Sequence, residues 1–182
     1  AASDAFLSDE EMRSMPAVIH IPTCMGAVVL AYNLKGVSDL KLTGEIIADI
    51  YLGKITNWND QRISSINPGV KLPNLKIVPA YRSDGSGTTF VFSDYLTKVS
   101  KDWASKVGAG KSLKWPTGIA AKGNPGVAGI ISQTSGSIGY VGSEYAFAQN
   151  IAYAQLQNPA GKFIKPTLAS ISAAADAELP AD

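Results

Sequence analysis

The stretch YRSDGSGTTF, residues 81–90, sets an arginine, an aspartate, two glycines and four serine or threonine hydroxyls within ten positions, and the apolar run FVFSDYL begins at its last residue. Arg82 supplies a planar cationic fork that matches the oxygens of an oxyanion. Ser86, Thr88 and Thr89 add hydroxyl donors. Gly85 and Gly87 let the backbone approach a ligand and adopt unusual dihedrals. A helix starting here would present N–H groups without acceptors and a partial positive charge. Such groups suit a small tetrahedral or planar anion. A hydrogen bond to a charged group supplies about 1.5–3 kcal/mol. Micromolar affinity takes about 8 kcal/mol, so four or five preorganised donors are enough. The same residues also read as an N-capped helix after a glycine-rich turn, with Arg82 and Asp84 as a surface ion pair. Residue types alone leave both readings open.

Templates for covalent chemistry do not fit. A dinucleotide fingerprint needs a third glycine where this loop has Phe90. VGAGKS, Val107–Ser112, imitates the end of a phosphate loop, but Ser105 stands where the motif needs glycine and a helix is expected before it. A serine triad needs an imidazole, and the single histidine, His20, lies beside Pro22 in an apolar stretch as a packed or surface residue. There is no G-x-S-x-G elbow. One cysteine, Cys24, and one histidine cannot build a Cys/His zinc site or an intrachain disulfide. Trp58, Trp103 and Trp115 read as packing residues. No enzyme is expected.

The elements that must hold the loop follow from pattern. GAVVLAYNL, residues 26–34, reads as a strand buried on both faces, as in a parallel sheet. TGEIIADIYLG reads as a helix capped by Thr43 and ended by Gly53. LKIVPAY, residues 75–81, is a strand that Pro79 assigns to an edge or a strand end. The helix after the loop places Phe92, Tyr95, Leu96 and Val99 on one side. Ser100 caps a short helix ended by Gly108. Asn124 and Pro125 read as cap and first position of another. GSIGYVG and IAYAQLQ are strands, with SEYAFAQ a helix between them. Ser8 and Glu11 form a capping box near the start. The helix KPTLASISAAADAEL, capped by Thr167, ends the chain. Strands alternating with helices predict an α/β fold.

Totals narrow the partners. The 182 residues are 46% hydrophobic and 17% charged with net charge +1, an ordinary globular composition. No basic stripe suits nucleic acid. No run approaches the roughly 20 apolar residues of a membrane helix. The chain starts AASDAF, without Met or a signal segment, and so reads as processed or partial.

YRSDGSGTT, preceded by ASDAFLSDEEM and IYLGKITNWND and followed by KWPTGIAAKGNPGVAG and GSIGYV, resembles the substrate-binding proteins of phosphate ABC transporters. INPGVKLP adds to the match, which covers nearly the whole chain in order. The resemblance implies a periplasmic-binding-protein-like α/β fold, with a mixed sheet and flanking helices. It implies two lobes closing on phosphate, no cofactor or metal, and a membrane permease as partner. It implies a periplasmic or extracytoplasmic location, with lipid anchoring left open. Arg82 would donate to the anion and Asp84 would hold its guanidinium. Ser86, Gly87 and Thr88 would give donors at the helix start, with Gly85 supporting. Asp4 would accept the proton that phosphate keeps near neutral pH and sulfate lacks. The family's opening strand and Gly/Thr-rich loop, and its final stretch, have no counterpart here. Residues 1–34 are therefore expected to be a first-lobe remnant and crossover, residues 35–182 the second lobe, and the chain a fragment with half a site. A receptor for another oxyanion such as sulfate, and a phosphatase using the same cradle, are the alternatives.

Overall fold

The structure is a computed structural model and describes residues 4–175. In chain order it contains α1 (Asp9–Ser14), β1 (Val28–Tyr32), β2 (Lys41–Leu42), α2 (Gly44–Tyr51), α3 (Gln61–Ser65), β3 (Val78–Arg82), α4 (Gly87–Val99) and α5 (Lys101–Lys106). There follow β4 (Ile119–Ala121), α6 (Gly123–Gln133), β5 (Ser137–Gly142), α7 (Ser143–Ala148), β6 (Gln155–Gln157), β7 (Phe163–Ile164) and α8 (Leu168–Ala175).

A four-stranded sheet runs in the order β1-β5-β3-β4. β3 is parallel to both neighbours, whereas β1 is antiparallel to β5. The parallel pairing expected for residues 26–34 is thus corrected. The apolar run reports burial on both faces, which an antiparallel edge strand under two helical layers also has. Leu30 and Tyr32 face one core, with Ile47, Tyr51, Phe92, Leu96 and Trp103. Val29 and Ala31 face the other, with Val127, Ala128 and Ile131 of α6 and Ala146 of α7. Successive strand side chains point to opposite faces, so one strand serves both layers.

Of the two places expected for Pro79, the strand end is the one it takes: it is the second residue of β3, which is an internal strand. Pro79 pairs with Ile138 of β5, but β4 joins only from Ala80 onward. The missing N–H therefore falls before the second ladder begins. β6 is shorter than expected and pairs with β2 and β7 in a small second sheet. Strands β2, β4 and β7 are two or three residues long, too short for alternation to reveal.

The caps follow the expected chemistry in most helices. Thr43, Ser86 and Ser100 each accept an N–H from the first turn of α2, α4 and α5. The Ser8–Glu11 capping box is formed, and Thr167 Oγ1 accepts the Ser170 N–H at 3.1 Å. The end of the predicted C-terminal helix, beyond Ala175, lies outside the described residues. Asn124 is not a cap: α6 starts at Gly123 after Lys122, which caps with no side-chain hydrogen bond. The tryptophans pack. Trp58 and Trp103 are fully buried, and Trp115 stacks on Tyr81 and Tyr140.

Candidate functional site

The C-terminal end of β3 and the N-terminus of α4 meet at the YRSDGSGTT loop. Arg82, the last residue of β3, gives Nε to Asp84 Oδ1 at 2.8 Å and Nη2 to Oδ2 at 2.6 Å. This bidentate pair holds the guanidinium plane, with the Arg82 side chain 11% exposed. Asp84 also accepts the Gly123 N–H at 3.0 Å, from the first residue of α6. The Arg82 fork and then that N–H hold the Asp84 carboxyl well below the usual carboxylate range. The same pairing raises Arg82 above the ordinary arginine value. Arg82 Nη1 reaches Asn124 Oδ1 at 3.4 Å. Asn124 thus faces the loop instead of capping its helix.

Ser86 is buried and its Oγ accepts the Thr89 N–H at 3.1 Å. That is a helix cap, and the hydroxyl proton is left to donate elsewhere. The N–H groups of Gly87 and Thr88 have no acceptor among the described residues. They and the guanidinium form a donor-rich cradle. The capped-helix and anion-site readings of the loop are therefore compatible.

Residue 4 completes the arrangement from far away in sequence. Thr88 Oγ1 donates to Asp4 Oδ2 at 2.7 Å. The Asp4–Ala5 backbone lies so close to Gly87 that a Cβ there would sit 2.8 Å from the Asp4 nitrogen. Neither Gly85 nor Gly87 has positive φ. The unusual dihedrals expected of them are absent, and Gly87 serves close approach instead. The segment carrying Asp4 has two further anchors. Phe6 packs edge-on against Phe90 with centroids 5.8 Å apart. Lys111 Nζ lies 2.9 and 2.8 Å from the two Glu11 oxygens. The Lys111 carbonyl accepts the Ser86 N–H at 2.9 Å, so this residue ties α1 to the cap of α4. Its ammonium, followed by the Ser8 N–H, lowers the Glu11 carboxyl to about 2.

The matching model is that of the PBP superfamily domain, over residues 1–180. The chain belongs to the PBP superfamily. Within that superfamily it is 48% identical over 176 residues to the phosphate-binding protein PstS of Xylella fastidiosa, covering 96% of this chain and 48% of that protein. It is also 48% identical over 168 residues to the PstS of Methanocaldococcus jannaschii, covering 87% of this chain and 43% of that one. The chain spans about half the length of the curated relatives it matches. A solved high-affinity periplasmic phosphate-binding protein bound with phosphate superposes with TM-score 0.74 at 23% identity, covering 97% of this chain and 52% of that one. That likeness establishes the PBP fold.

This PBP domain thus brings Asp4, Arg82, Asp84, Ser86, Gly87 and Thr88 together, with Gly85 in the loop between. His20 is exposed and accepts the Leu7 N–H at 3.0 Å. In VGAGKS, Val107 ends α5 and no strand precedes it, so no phosphate loop forms. Among the described residues no group of three His, Cys, Asp or Glu side chains could hold a metal, and no helix is long and apolar enough to cross a membrane. Sequence reasoning missed Asn124, the Gly123 N–H and Tyr140. The Tyr140 hydroxyl accepts the Arg82 N–H at 3.0 Å and lies 2.8 Å from Thr89 Oγ1. GSIGYV was part of the family pattern, but nothing in it marks a tyrosine aimed at a loop 58 residues away.

Proposed function

We propose that this chain binds inorganic phosphate as one wall of an extracytoplasmic receptor that hands its ligand to the permease of an ABC transporter. One observation carries the reading: the Asp4 carboxylate stands beside the donors of the α4 N-terminus and hydrogen bonds Thr88 at 2.7 Å. A cradle built only for negative charge gains nothing from a carboxylate at its rim. An anion that brings its own proton does, because the carboxylate accepts it and repels an anion without one. Arg82, the Ser86 hydroxyl and the Gly87 and Thr88 N–H groups then take the remaining oxygens, with Asp84 holding Arg82. The phosphate-binding names of the relatives agree with this. No nucleophile with an orienting base stands at the cradle among the described residues, which favours binding over hydrolysis.

Residues 35–182 would form the second lobe of such a receptor and residues 1–34 the crossover that delivers Asp4. In a longer chain a facing wall would complete the cleft. The wall alone would bind in the millimolar range, about 4 kcal/mol. The test is titration of the 182-residue chain with phosphate and with sulfate, following backbone amide resonances. Phosphate should shift Arg82, Gly87 and Thr88 at millimolar concentration, with sulfate acting more weakly. Absent shifts, or equal shifts with both anions, would overturn the phosphate reading. Micromolar affinity would overturn the half-site.

A further inference from the structure

We propose that Tyr140 is a positioning residue of the cradle, holding Arg82 and the start of α4 at a set separation. The proposal rests on the anion reading of that site. Tyr140 belongs to β5, not to the loop, and is fully buried. Its ring stacks on Phe92 at 4.5 Å and on Trp115 at 5.6 Å between centroids. The hydroxyl therefore cannot shift unless packed aromatic rings shift with it.

That hydroxyl accepts the Arg82 N–H at 3.0 Å. It also shares a buried hydrogen bond with Thr89 Oγ1 at 2.8 Å, in which either hydroxyl can donate. Burial raises the phenol above its ordinary value, which keeps it neutral. Arg82 opens the cradle and Thr89 closes it. One oxygen thus ties both ends to one point of the core, and the donors between them are held from beneath. Tyr51 supplies an internal comparison. It is also fully buried in the aromatic cluster, but its hydroxyl donates to the Ala80 carbonyl at 3.1 Å, within β3.

Tyr140→Phe and Tyr51→Phe each remove one buried hydroxyl and keep the ring. Both should lose stability, Tyr140→Phe the more, because it leaves the Arg82 N–H and the Thr89 hydroxyl without their partner where Tyr51→Phe leaves one carbonyl. Phosphate affinity, read from amide titrations, should fall roughly three- to tenfold in Tyr140→Phe, the worth of one neutral hydrogen bond, and hold in Tyr51→Phe. Amide hydrogen exchange at Thr89 and Phe90, whose N–H groups are bonded to Ser86 Oγ and to the Ser86 carbonyl, measured without phosphate, should quicken only in Tyr140→Phe. Equal affinity in the two variants would overturn the proposal. If the unsubstituted chain does not respond to phosphate, the anion reading fails, and the exchange comparison alone then decides whether Tyr140 orders the loop. Should Tyr140→Phe not fold, Thr89→Val removes the other partner of the same bond and serves in its place.

Discussion

Thr88 and Asp4 share a 2.7 Å hydrogen bond across 84 positions of sequence. The bond sets a carboxylate against the positive end of α4, where its charge is favoured. It also fixes an acceptor beside a group of donors. The element expected to choose between anions and the elements expected to hold them are thereby one structural unit.

Asp4→Asn should test the choice. The amide keeps the shape and the contact to Thr88 but no longer offers a full negative charge to a ligand proton. We expect the preference for phosphate over sulfate to narrow roughly tenfold or more, the worth of one charged hydrogen bond. Parallel titrations with the two anions measure it, and an unchanged ratio would refute the proton-acceptor role.

The two loop glycines should respond differently to alanine. At Gly87 a Cβ would meet the Asp4 and Ala5 nitrogens at 2.8 and 2.9 Å, backbone atoms that can yield only by moving the segment. At Gly85 the nearest atom is Ser112 Oγ at 3.8 Å, an ordinary contact. Gly87→Ala should therefore reproduce the selectivity loss of Asp4→Asn while α4 stays folded. Gly85→Ala should leave binding within about twofold, since neither a clash nor a positive φ opposes it.

Arg82→Lys should weaken phosphate binding by about 1.5–3 kcal/mol, roughly ten- to a hundredfold. Lysine keeps the charge but cannot pair both Asp84 oxygens and still present a planar edge to the ligand. A loss under twofold in the same titration would show that the fork is not used.

Acid should weaken one anchor of the segment that carries Asp4. The Glu11 carboxyl ordinarily titrates at 4.5 and is lowered to about 2 beside Lys111. A depressed carboxyl stabilises the fold above its unfolded value and loses that contribution as protons bind on the way down. The difference in melting temperature between the native chain and Glu11→Gln should be constant above about pH 5 and vanish between pH 4.5 and 2. Both groups of the pair are partly exposed, so the difference should be small and should also shrink with salt.

Much of the fold was written in local pattern. The helices with clear caps, at Thr43, Ser86 and Ser100, start where their side chains can take the first free N–H groups, which is a matter of a few adjacent residues. Asn124 was misread for the same reason. Its neighbour Pro125 makes a good helix start, and only the proximity of Arg82, 42 positions away, turns its side chain toward the loop. Strand direction was equally hidden, because the apolar residues of β1 record how deeply the strand is buried and not which way its neighbour runs.

The sequence by itself determined that a donor-rich loop precedes a helix, and that Arg82 and Asp84 are close enough along the chain to pair. Those are short-range consequences of residue type and spacing. Tertiary structure alone decided that Asp4 reaches the same helix start, that Gly87 is needed for room and not for dihedral freedom, and that Tyr140 lies under the loop. Each depends on packing between segments far apart in the chain, and hydrophobic patterning is degenerate with respect to which segments meet.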